Sequence, residues 1–131
     1  MDSPRSSIAV VMPVFNEEAV LPETFERLTR LFDQFSDHSW QAILVDDGST
    51  DGSAGLLAAQ TGRDPRFHIV TLARNFGFQS ALAAGIDAAA STDAVITLDA
   101  DLQDPPELIP ELIAAWQAGA EVVLAMRRTR Q

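Results

Sequence analysis

Cysteine is absent from the 131 residues of the chain. Disulfides, thiolate metal sites and thiol nucleophiles are therefore excluded, and any metal is expected to be held by oxygen. Basic residues are scarce: nine Lys plus Arg stand against nineteen acids, a formal net charge of -10 at pH 7. That balance argues against nonspecific attraction to nucleic acid or to an anionic membrane surface, and a polyphosphate ligand would need a cation to mediate. Only two histidines occur, His38 in a polar loop and His68 within an apolar run, and neither has a carboxylate spaced to orient it as a catalytic base. No apolar run approaches the roughly 18 residues of a membrane span, and the opening MDSPRSS is too short and polar for a secretory signal. The chain as given is expected to be soluble. There is no internal repeat, and no G-x-G-x-x-G follows the first apolar run, which sets a dinucleotide-binding domain aside.

What is present is a regular alternation. SIAVVMPVF, WQAILVDD, FHIVTLA, DAVITLD and EVVLAM are short continuous apolar runs rich in β-branched residues, the pattern of strands buried on both faces. Between the first two, Leu21, Phe25, Leu28, Phe32 and Phe35 recur at spacings of four and three, one apolar stripe along a helix. Helical patterns also cover roughly 52–60, 77–90 and 106–117. Alternating strands and helices predict an α/β fold with a mostly parallel sheet, helices on both faces and right-handed crossovers. The 131 residues, 47% of them hydrophobic, suit one domain, taken as 8–131 after a disordered tail at 1–7.

In such sheets the ligand crevice lies beyond the carboxyl ends of the strands, and those ends are unusually acidic here. In LDADLQDPPE, Asp99 and Asp101 are two apart, so in extended backbone their side chains leave on one side and can share a hard divalent cation, Mg²⁺ or Mn²⁺. Asp104, Pro105 and Glu107 have a plainer reading as a capping box at the start of the last helix. In VDDGSTDGS, Gly48 and Gly52 suit turns and one of Ser49, Thr50 or Asp51 suits a helix cap. Asp46 and Asp47 come too early to cap, and at least one of them is expected to accept hydrogen bonds from a base N–H or ribose hydroxyls. PVFNEE after the first strand reads as a turn with an acidic helix start. ARNFGFQSAL places Arg74 where it can meet a phosphate or one of the clustered carboxylates, with Gly77 turning the backbone into a helix.

The blocks PVFNEE, VDDGSTDGS, ARNFGFQSALAAGIDAA and LDADLQDPPE, in this order and each at a strand end, resemble the family 2 glycosyltransferases, specifically the dolichol- or polyprenyl-phosphate sugar transferase branch. The resemblance runs from about Ile8 to Arg128. It implies the GT-A type nucleotide-diphospho-sugar transferase fold, here incomplete. Pro13, Phe15 and Glu17 would line the nucleotide pocket, Asp46 and Asp47 would meet base and ribose, and Arg74 the donor. Asp99 and Asp101 would be the D-x-D metal motif and the catalytic pair, with Gln103 close to the ion, and Arg127 and Arg128 would face donor or acceptor phosphate. The implied reaction is an inverting, metal-dependent transfer of a sugar from a UDP- or GDP-sugar to a polyprenyl phosphate. Transfer to a polysaccharide hydroxyl and a non-catalytic nucleotide-sugar-binding module are the alternatives. Related enzymes continue with acceptor-binding and membrane-associated segments. The expectation is thus an N-terminal fragment of a longer enzyme at the cytoplasmic face of the cell membrane, with an exposed sheet edge that favours a homodimer.

Overall fold

The computed structural model describes residues 6–99 and 106–117. Four of the five expected strands lie within them: β1 (Ser7–Val14), β2 (Ser39–Asp46), β3 (Phe67–Thr71) and β4 (Ala94–Thr97). The fifth apolar run, EVVLAM, lies outside the described residues. The strands form one parallel sheet in the order β3-β2-β1-β4. β1 begins one residue inside the expected tail, because Ser7 donates its N–H to Asp93 Oδ2 at 2.8 Å while Asp93 donates its own N–H to Ser7 Oγ at 3.0 Å. That reciprocal pair ties the start of β1 to the start of β4.

The central strand explains why the apolar run does not alternate with polar residues. Ile8, Val10, Met12 and Val14 face one core, and Ala9 and Val11 face another. On the first face lie three helices: α1 (Leu21–Gln34), α2 (Ser53–Arg63) and α4 (Ile109–Gln117), the last preceded by a 3-10 turn at Pro106–Leu108. The stripe predicted for α1 is buried at Leu21, Phe25, Leu28 and Phe32, whereas Phe35 ends the helix and accepts the Trp40 indole N–H at 2.8 Å through its carbonyl. Asp104, the other half of the expected capping box, lies outside the described residues, and Glu107 has a further partner. It forms a two-pronged ion pair with Arg27 of α1, one prong at 3.1 Å from Nε, and so fastens the 3-10 turn to α1.

The opposite face carries α3 (Phe78–Ala88), whose contact residues are small: Ala81, Gly85 and, just past its end, Ala89 pack on Ala9, Val11, Ile43 and Val45. A helix can lie this close to a sheet only where side chains are short. A Cβ added to Gly85 would come 2.9 Å from Val45 Cγ2 and closer still to Val11 Cγ1. Helices on both faces therefore agree with the sequence pattern.

Strand order positions the site. The chain moves outward from β1 through β2 to β3, then returns across the sheet through α3 to place β4 on the far side of β1. The order thus reverses between β1 and β4, and at such a reversal neighbouring connections part and leave a crevice at the carboxyl ends.

Candidate functional site at the strand ends

Four strand ends meet along one edge. β1 delivers Pro13, Phe15 and Glu17, β2 delivers Asp46 and Asp47, the segment after β3 delivers Arg74, and Leu98–Asp99 follow β4. Their level is set by the ladder: Val14 pairs with Asp46, Asp46 with Thr71, and Val11 with Thr97. Bonds just past the strands extend it, with Asp47 N–H donating to Val14 O (2.8 Å), Leu72 N–H to Asp46 O (3.0 Å) and Leu98 N–H to Val11 O (3.1 Å). Asp101, Gln103, Arg127 and Arg128 lie outside the described residues, as do Asp104 and Pro105.

The residues brought together are unlike in exposure. Pro13 is buried within β1, whereas Phe15, the next residue but one, is 44% exposed at the rim. Asp46 and Asp47 are 4% and 3% exposed, a costly position for carboxylates unless they are hydrogen-bonded. Asp46 accepts the Ser49 N–H at 3.0 Å on Oδ1. Asp47 accepts Phe76 N–H at 2.8 Å on Oδ1, and Gly77 N–H at 3.0 Å and the Asn75 amide at 3.3 Å on Oδ2. Both of its oxygens are thus engaged by the 74–77 loop, and the same Asn75 amide donates to the Asp47 carbonyl at 3.1 Å. Asp99, next to buried Leu98 in sequence, is half-buried.

Among the described residues Arg74 pairs with no carboxylate, the plainer of its two readings; Asp101 and Asp104 lie outside them. Its guanidinium lies over the Phe76 ring, 4.1 Å from the centroid, a cation–π contact made by an exposed side chain. Arg27, Arg30 and Arg66 are all in ion pairs elsewhere.

A latch joins the first two loops, and sequence reasoning passed over its central residue. Asn16 has φ 53°, the left-handed region that Asn tolerates better than most residues. Its Oδ1 accepts Thr50 N–H at 2.8 Å and Asp51 N–H at 3.3 Å, while its own N–H donates to Ser49 Oγ at 3.0 Å. Glu17 N–H donates to Ser53 Oγ at 2.9 Å and Glu18 N–H to Asp51 Oδ2 at 3.3 Å. Ser49 and Thr50 thus serve the neighbouring loop, α2 has Gly52 at its N-cap, and Asp51 instead turns back to accept the Ser53 N–H at 2.9 Å. Desolvation opposes ionisation of Asp51, yet the hydrogen bonds from Ser53 and the Glu18 backbone outweigh it and hold the carboxyl below its ordinary range. The signal available in the sequence was one Asn beside a polar loop 33 residues away, which no periodicity reports.

No group of three metal-binding side chains is assembled among the described residues. The donor chemistry present is nonetheless that of hard cations: oxygen ligands only, with Asp99 at the crevice.

A parallel α/β sheet with acidic carboxyl ends at a switch point defines the class, and the family follows from comparison. The chain belongs to glycosyl transferase family 2, whose family model matches residues 9–131. It is 48% identical over 125 residues to the undecaprenyl-phosphate 4-deoxy-4-formamido-L-arabinose transferase of Aeromonas hydrophila, covering 95% of this chain and 38% of that protein. It is 45% identical over 123 residues to the bactoprenol glucosyl transferase of Shigella phage SfV, covering 94% and 39%. Among solved structures, the glucosyl-3-phosphoglycerate synthase of Mycobacterium tuberculosis, in complex with Mn²⁺, UDP and glucosyl-3-phosphoglycerate, superposes with a TM-score of 0.65 at 27% identity, covering 89% of this chain and 41% of that one. The fold is GT-A. The chain spans about two fifths of the length of the curated relatives it matches.

Proposed function

We propose that this chain is the donor-binding part of an inverting glycosyltransferase that moves a sugar from a UDP- or GDP-sugar to a polyprenyl phosphate. The observation that carries the reading is the switch-point crevice, where Asp46 and Asp99 flank the end of β1 and, among the described residues, Arg74 has no carboxylate partner. The named activities of the relatives supply the acceptor class.

Each residue then has a task. Asp46, anchored through Oδ1, keeps Oδ2 for a base N–H or a ribose hydroxyl. Phe15 offers an exposed ring at the rim against the base, over a wall stiffened by buried Pro13 and by Glu17 held at the entry to α1. Arg74, exposed and stacked on Phe76, faces the donor diphosphate with its guanidinium. Asp99 and Asp101, with Gln103 beside them, would hold Mg²⁺ or Mn²⁺, which supplies Lewis-acid stabilisation of the departing nucleoside diphosphate when bound. An ionised phosphate acceptor is already a nucleophile, so this part of the chain has no need of a general base. Arg127 and Arg128 are assigned to donor or acceptor phosphate. The remainder of a longer protein would bring the membrane contact at the cytoplasmic face; among the described residues no helix is long and apolar enough to cross a membrane.

Calorimetric titration with UDP and GDP, with and without Mn²⁺, tests the reading beside an Asp99→Ala/Asp101→Ala variant. Metal-dependent binding of one nucleotide that the variant loses is the expected result. A folded chain that binds neither nucleotide, or a variant that binds as well as the parent, would overturn it.

A further inference from the structure

Asp47 was expected to touch the nucleotide, but its surroundings indicate a different task. The carboxylate is 3% exposed, and its two oxygens receive three hydrogen bonds, all from residues 75–77. These donors lie 28 to 30 residues away in sequence. Two of them are the backbone N–H groups entering α3, which has Gly77 at its N-cap and no side-chain cap of its own. A neighbouring contact closes the same seam. At Gly48, with φ 78°, an added Cβ would lie 2.7 Å from the Arg74 carbonyl carbon and closer still to the Asn75 nitrogen. The loop after β2 and the loop after β3 are thus mated backbone to backbone, with the buried carboxylate as the pin between them.

What the pinned loop carries is Arg74, exposed and stacked on Phe76, whose own N–H is one of those donated to Asp47. A guanidinium on a loose loop loses more freedom when it meets a phosphate than one whose backbone is already fixed. Building on the donor-site reading above, we infer that Asp47 is a positioning residue: it makes no contact with the nucleotide and acts by fixing the 74–77 loop so that Arg74 and its Phe76 platform meet the donor diphosphate. Asp46, one residue earlier, keeps the nucleoside contact, and the adjacent pair of carboxylates divides into one that faces the ligand and one that holds the scaffold.

The two roles separate by which part of the ligand feels the change. NMR titrations of the chain with UDP and with uridine, and with GDP and guanosine, are compared for the parent, Asp47→Asn, Arg74→Ala and the double variant. Asp47→Asn is expected to weaken the preferred diphosphate about tenfold, the scale of one charge-assisted hydrogen bond, and to leave its nucleoside within about twofold. It should have no further effect once Arg74 is Ala. Amide exchange at Phe76 and Gly77 should accelerate in Asp47→Asn but not in Arg74→Ala. Asn75→Ala removes one tether while sparing the carboxylate, and should show the same split between diphosphate and nucleoside if Asp47→Asn does not fold. Equal loss of nucleoside and diphosphate affinity, or effects of Asp47→Asn and Arg74→Ala that simply add, would overturn the inference while leaving the donor site intact. Failure of the folded parent to bind either nucleotide would overturn the donor-site reading itself and this inference with it.

Discussion

Replacing Gly85 with Ala tests the close approach of α3 to the sheet, and Gly55 supplies the control. Both are helical glycines, in α3 and α2 respectively, so both substitutions gain about 1 kcal/mol of helix propensity. At Gly55 an added Cβ meets nothing within 4 Å, and the gain should appear in full. At Gly85 the Cβ falls 2.9 Å from Val45 Cγ2 and closer to Val11 Cγ1, both on fully buried, stiff, β-branched side chains of central strands. Neither valine can turn away, so the helix must lift, loosening the small core of Ala9, Val11, Ile43, Val45, Ala81 and Ala89. Overpacking of this kind costs about 3 kcal/mol, at the upper end of its usual range. Gly85→Ala should therefore be destabilised by about 2 kcal/mol net, and separated from Gly55→Ala by about 3 kcal/mol. For a chain of this size the separation corresponds to about 10–15 °C in Tm. Urea denaturation of the three proteins, with m-values compared, measures it. If Gly85→Ala were as stable as Gly55→Ala, the argument that small residues set the height of α3 would be wrong.

Gly48→Ala should cost about 2–3 kcal/mol, from a left-handed φ added to a clash with the backbone of Arg74 and Asn75; a urea midpoint unchanged from the parent would contradict the mated loops. Asn16→Gly relieves the positive φ but deletes the Oδ1 acceptor of the latch, and is expected to lose about 1 kcal/mol on balance, with faster amide exchange at Thr50 and Asp51; a net gain in stability would show the latch to be dispensable. In acid, the Arg66 guanidinium beside Asp64 holds that carboxyl below its usual range, as Arg27 does for Glu107. A lowered folded pKa stabilises above the unfolded value of about 4 and is lost as pH falls through the folded one. Asp64→Asn should thus be less stable by about 1 kcal/mol at pH 7 and converge on the parent as pH falls through the lowered folded value of Asp64 in urea titrations at stepped pH, whereas a gap that does not narrow in acid would refute the ion-pair assignment.

The architecture was largely legible because its signals are periodic. The run through Val10, Val11 and Met12 has no polar face and so announces a strand with cores on both sides, and the stripe from Leu21 to Phe32 matches α1 closely. The strand-end rule then pointed to the switch point between β1 and β4 without reference to any contact. What stayed hidden depends on partners far apart in sequence. Asp46 and Asp47 look equivalent as a dipeptide, yet the alternating direction of side chains at a strand end sends one toward Ser49 and the other toward residues 75–77. Glu107 suits a cap by spacing, and spacing does not reveal that Arg27, 80 residues away, forms a two-pronged ion pair with it. Asn16 looked like part of a turn, and its three-way bonding exists only once β1 and β2 lie side by side.

The sheet order also carries a history of assembly. β1, β2 and β3 are successive neighbours, so a chain emerging from the ribosome can build them, with α1 and α2, from contacts of modest separation. β4 must reach back across the whole of that structure to dock on β1, the Ser7–Asp93 pair closing a separation of 86 residues. β4 is the last of the described strands along the chain, so the crevice between β1 and β4 is complete only once it docks. A ligand that spans both sides would bind the finished sheet and not its three-stranded precursor, and by mass action would hold the late strand in place.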